Sequence, residues 1–305
     1  MTSPRTRHHR RPVTLRALAG LLALAMSGCA PGGGKPADKT STATGSASPS
    51  SSATAGNSLP PELVAALEKL PGNLAERSGL AALPVGGRGE PALWGALRTG
   101  PAWSTIKVPL SVAAGDTHRD TSGLAISQSD NEAAARLWTA LGGGEQAASA
   151  VRAELHRGGD THTTVQHHEV RPPYTPYGQT NWQLDDSARY TASLPCRPEA
   201  ATTYAQMHHI AADQRWGLGS AHAEAYKGGW GPAVDQQYMA RQIGVIAHPD
   251  GTRTAVALIV LSPGGYEQAA TDLDILAGTM REHLDKLPSG RCTSPSGAAE
   301  DKAKP

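Results

Sequence analysis

Hydrophobic positions are unevenly spread along this chain. One apolar run, LRALAGLLALAM, stands near the N-terminus, and small and polar residues then continue through residue 57. Regular patterning begins after that. PPELVAALEKL carries apolar residues at helical spacing behind two prolines, which suit a helix's first turn. GLAALPV and PALWGALRT, parted by the glycine-rich GGRGE, predict a strand hairpin. STIKVPLSVAAG (Ser104–Gly115) reads as a helix, DNEAAARLWTAL as a second ended by a glycine run, and GEQAASAVRAEL as a third. A loop rich in His, Thr and Pro spans Arg157 to Gly178. In TNWQLDDSARYTASL, Thr180 and Gln183 have capping-box spacing, and TTYAQMHHIAADQ continues helical. The texture then changes to strands in EAYKGGW, QYMARQIGVIAH and RTAVALIVLS, and GYEQAATDLDILAGTMREHLDKL closes as a long helix. The order predicts an α+β fold: an antiparallel sheet assembled from both chain ends, flanked by helices, with an all-helical half inserted.

The chain ends add an address. RTRHHRRPVT is a basic segment, and the apolar run behind it is too short for a comfortable bilayer span. It leads into MSGCA, which resembles a bacterial lipobox with Cys29 as the lipidated residue. The Arg10-Arg11 pair also resembles a twin-arginine export signal, although a generic basic segment explains it as well. Residues 1–29 are thus expected to be a lipoprotein signal peptide, 30–57 a tether too poor in apolar residues to order itself, 58–288 one domain, and 289–305 a frayed tail. A net charge of +1 offers no electrostatic footprint for nucleic acid. With Cys29 carrying lipid, Cys196 and Cys292 remain as one possible extracytoplasmic disulfide or as two free thiols.

Candidate chemistry starts at Ser104 and Lys107, three residues apart and so on one face of a helix. Alone, the pair is equally a capping serine with a solvated lysine. Two further motifs change its meaning: Ser129-Asp130-Asn131 at the start of a helix, and Lys227-Gly228-Gly229 in the first strand after the helical half. In this order they resemble the penicillin-recognising serine enzymes, class A β-lactamases and D-alanyl-D-alanine peptidases or transpeptidases. The resemblance covers about residue 60 to 287. It implies a β-lactamase-like fold acting without cofactor on a cell-wall peptide or a β-lactam-like small molecule, as a monomer held at the membrane by its lipid. It implies Ser104 as nucleophile, Lys107 as its base, Ser129 as proton carrier to the leaving nitrogen, and Lys227 as the cation beside Ser129 and a substrate carboxylate. Asn131, Gly228, Gly229 and Trp230 would bind substrate, with the N–H groups of Ser104 and Trp230 as oxyanion hole.

The sequence departs from that pattern in three places. Ser104 and Ser129 stand only 25 residues apart, which implies a trimmed helical half and a more open cleft. The third motif is K-G-G, so the hydroxyl that usually helps hold a substrate carboxylate is missing at Gly228. If the hairpin after it turns between Val234 and Asp235, Arg241 lies opposite Gly228 and substitutes for that hydroxyl; a slip of one residue instead sends it to the other face. Finally, Glu169 lies where a deacylating acid would be expected, but HHEV reads better as exposed loop. His156, His162, His167 and His168 crowd the same region without metal-ligand spacing, so no metal site is expected.

Overall fold

The computed structural model describes residues 58–233 and 236–293. The signal peptide, Cys29 and the tether lie outside the described residues. The chain runs through α1 (Pro61–Leu67), β1 (Ser78–Pro84), β2 (Ala92–Gly95) and β3 (Thr99–Pro101) into a helical half. That half holds α2 (Lys107–Ala114), α3 (Arg119–Ser127), α4 (Asn131–Ala140) and α5 (Gly144–Arg157), the short strand β4 (Asn181–Gln183), then α6 (Leu184–Ser193) and α7 (Ala201–Gln206). It returns through β5 (Ala225–Pro232), β6 (Tyr238–Ala247), β7 (Arg253–Ser262) and α8 (Gly265–Glu282).

Five strands form an antiparallel sheet in the order β2-β1-β7-β6-β5, so the first strands and the last share one sheet, as the hydrophobic pattern predicts. β7 reads as a nearly unbroken apolar run, and β6 is buried along nearly its whole length, because both their faces are covered. Packing of α6 against β1, β6 and β7 covers one face, and α8 lies on β6 and β7 with α1 against it. Leu80, Leu258, Ile259, Leu273 and Leu276 are fully buried in the core between these layers.

Three local expectations fail for physical reasons. Thr180 does not cap a helix: its hydroxyl accepts from Gln166 N and its carbonyl from Ala102 N, while residues 181–183 pair with β3. Tertiary strand pairing wins over the local cap, and α6 starts at Leu184. Between Ser104 and Ser129 the chain still builds two helices, α2 and α3, the second of which the periodicity did not announce. The packed chain also runs past residue 288. Gly290 bridges to Arg253, and Cys292 is joined to Cys196 with Cα atoms 5.1 Å apart.

The hairpin of β5 and β6 settles the place of Arg241. Its connection runs through residues 233–237, closed by Ala233 N donating to Gln237 O at 2.8 Å. That connection moves each partner one residue later than a turn between Val234 and Asp235 would, so Gly228 faces Gln242 and Arg241 faces Gly229. Arg241 therefore projects from the opposite face to Gly228. It is fully buried there, donating to the carbonyls of Gly100 at 3.0 Å and Trp182 at 3.1 Å. The expected role of Arg241 as carboxylate anchor is overturned: it staples the β3–β4 pair to the sheet.

Candidate active site

Ser104 lies in a 3-10 turn, Trp103–Ile106, that runs directly into α2 at Lys107. Residues i and i+3 of such a turn stand over one another, so Ser104 and Lys107 look the same way. The turn opens on a left-handed residue, Trp103 at φ 48°, a conformation that a residue with a side chain adopts only when its surroundings hold it. Here the indole is held: a Cβ placed on Gly231 would come within 2.4 Å of its ring, and Tyr174 packs edge-on at 5.2 Å.

Lys107 is buried, 2% exposed. Its ammonium donates to Ser129 O at 2.5 Å, to Asn131 Oδ1 at 2.7 Å and to Ser129 Oγ at 3.5 Å. None of its hydrogen bonds goes to Ser104 Oγ. Burial lowers its pKa to about 8, with the carboxylate of Asp130 pulling weakly the other way.

Ser129 reaches the cavity from the turn between α3 and α4, itself left-handed at φ 55°. Asp130 caps α4 by accepting from Ala133 N at 2.6 Å, and this places Asn131 in the first helical turn facing Lys107. From the sheet side, the fully buried Lys227 donates to Ser129 Oγ at 3.0 Å and to Gly228 O at 2.7 Å. Burial, then the charge of Lys107, holds its pKa well below the ordinary value. One hydroxyl thus stands between two lysines whose charged forms are both disfavoured.

The sheet edge closes the site. A Cβ at Gly229 would sit 2.7 Å from Ser104 N and 2.9 Å from Thr105 N, so only glycine allows β5 to lie against the turn. β5 is an edge strand, and Tyr226 N points away from β6 to Met207 O. Alternation puts the N–H of Trp230 on the same open edge, beside Ser104. At Gly228, a Cβ would meet Trp216 Cη2 at 3.0 Å. The indole of Trp216 fills the space into which a Thr or Ser side chain at this position would project.

Ser104, Lys107, Ser129, Asn131 and Trp230 line one cavity of about 450 Å³. Five aromatic residues share the lining: Trp103, Tyr174, Tyr177, Trp230 and Tyr238, in a chain that is only 4% aromatic. Sequence reasoning missed all but Trp230, and it missed Arg171, which donates to Ala233 O at 3.4 Å and to Pro232 O and lies 5.1 Å from the Tyr174 ring centre. The signal available was the aromatic and proline clustering of RPPYTPYG. Glu169 is exposed and does not line the cavity, and among the described residues no carboxylate does. His162 is bound to Asp186 at 3.0 Å, and no group of His, Cys, Asp and Glu among the described residues is arranged to hold a metal.

No protein-family model matches the chain, and no curated protein matches it. Solved structures do. The TLA-3 extended-spectrum β-lactamase is 14% identical with a TM-score of 0.61, over 73% of this chain and 98% of that one. A class A β-lactamase from Bacteroides cellulosilyticus gives 13% and 0.58 over 73% and 96%. A variant of a reconstructed ancestral Gram-negative class A β-lactamase gives 18% and 0.54 over 73% and 97%. With the helical half inserted between β3 and β5, and the sheet edge laid against a serine-bearing turn, the chain has the fold of the class A β-lactamases.

Proposed function

We propose that this protein is an exported serine acyl-transfer enzyme of the penicillin-recognising type, tethered to the cell membrane through lipid on Cys29 and acting on cell-wall peptide or β-lactam-like amides. The observation that carries the reading is Ser129 Oγ, held between Lys107 and Lys227 in the cavity that Ser104 enters. In this mechanism Ser104 Oγ attacks the substrate carbonyl, and its proton passes to the neutral amine of Lys107, reached once substrate draws the two groups together. The oxyanion forms against the N–H groups of Ser104 and Trp230. The C–N bond breaks as the Ser129 hydroxyl protonates the leaving nitrogen and is reprotonated from Lys227 or Lys107.

The second half of the cycle is slow in this reading. Water attack on the ester needs a base, and among the described residues no carboxylate lines the cavity. The acyl-enzyme accumulates, as in a penicillin-binding protein. Incubating the protein with a fluorescent penicillin and weighing it intact tests this: one adduct on the wild type and none on Ser104→Ala is expected. Absence of any adduct, with binding retained, would instead favour a non-catalytic wall-fragment or β-lactam binder.

A further inference from the structure

A second cavity, of about 400 Å³, shares no lining residue with that of Ser104. Four segments meet around it: the β1–β2 connection (Gly86, Gly87, Arg88), the end of α5 (His156–Gly159), the last turns of α6 through Arg197, and Thr293. Among the described residues its wall carries four arginines and a histidine and no acidic residue. That volume is of ligand size rather than of one water.

Arg189 is matched by Glu90, Asp185 and Asp186. Arg157 and Arg197 share the single fully buried carboxylate of Glu154, which also accepts from Tyr190 Oη. Glu154 is the one buried anion that these two cations meet, the second partner of Arg197, Glu199, being half in solvent, and exposed Arg88 adds positive charge without an ion pair among the described residues. Arg197 has further capacity: its Nε and Nη1 are buried and lack hydrogen bonds. The carboxylate of Glu199 lies 3.5 Å from Nε, half in solvent and outside the cavity lining. Nη1 faces Gly158, where even a Cβ would come within 3.0 Å of it. The end of α5 contributes an opposing partial negative charge, but Gly158, Gly159 and Asp160 already cap its last carbonyls. Buried donors without acceptors, set among guanidinium forks, match the acceptor-rich geometry of a phosphate.

We propose that this cavity is a binding site for a phosphate-bearing ligand, with Arg88, Arg157 and Arg197 as its cations. The test is titration calorimetry of the full chain, carrying Cys29→Ser so that no acyl group interferes, with inorganic pyrophosphate at fixed ionic strength. Saturable binding is expected, weakened about tenfold by Arg88→Ala, the loss of one charge-assisted contact. Arg88 is exposed, so that variant folds, and its penicillin adduct should form at the wild-type rate. Co-sedimentation with phosphatidic acid vesicles separates the two sources of phosphate. Vesicle binding sensitive to Arg88→Ala assigns a lipid headgroup, and pyrophosphate binding without it assigns a soluble ligand. No saturable binding, or binding that survives Arg88→Ala but is lost in Lys227→Ala, overturns the proposal, the latter by placing the anion at the Ser104 cavity.

Discussion

Lys107 carries the clearest expectation at the scale of single residues. Its lowered pKa, about 8, reflects a buried ammonium that pays for desolvation without a touching carboxylate. If the neutral amine takes the Ser104 proton, acylation must rise with pH and level off above that value. At pH 7 only about a tenth of the molecules carry the neutral form. Adduct formation measured from pH 6 to 9 should trace this rise, whereas a flat profile would remove Lys107 as base. Gly229 and Gly228 make a contrasting pair. Gly229→Ala would push β5 off the Ser104 turn, and a displacement of about 1 Å costs roughly a hundredfold in acylation. Gly228→Ser alone meets the Trp216 ring, but with Trp216→Leu it gains room for its hydroxyl. The double variant is expected to acylate faster with carboxylate-bearing substrates than with neutral esters, relative to wild type. Equal gains for both classes would show that the missing hydroxyl does not set substrate choice.

At the scale of elements, the turn between α3 and α4 holds two of the site's residues through one cap. Asp130→Ala removes the bond to Ala133 N and should cost about 1 kcal/mol in urea unfolding. Adduct formation should fall with it, since Ser129 and Asn131 flank the cap. A stability loss with unchanged acylation would mean that the turn is held without it. The same scale shows where the sequence was legible. Ser104, Lys107, Ser129, Asn131 and Lys227 could be placed because each sits at a helix start or in a strand whose apolar pattern is unambiguous. Arg241 could not, because its face depends on whether the hairpin connection is centred between two residues or on one. Thr180 misled because a capping box is local chemistry, while its partners, Ala102 and Gln166, arrive from elsewhere in the chain. The aromatic wall was illegible for a related reason: Trp103, Tyr174 and Tyr238 meet only once strands and loops from distant parts of the sequence have closed.

For the whole molecule, the bond between Cys196 and Cys292 ties the end of the helical half to the chain beyond α8, across a separation of 96 residues. Closing so long a loop in the unfolded chain removes entropy worth about 2–4 kcal/mol, so the double variant Cys196→Ala/Cys292→Ala should melt several degrees lower. An unchanged melting temperature would show that the pair contributes nothing. The strand order has a temporal consequence as well. β5 reaches the sheet only through β6, and β6 only through β7, which must first dock beside β1. A chain delivered N-terminus first therefore presents Ser104 and Lys107 early, but the edge that faces them cannot form until residue 262 has followed. On the proposed function, Ser104 becomes reactive only when β5 has joined the sheet. A fragment ending before β5 should carry the serine and remain unlabelled by penicillin, chemically silent for want of the strand that arrives last.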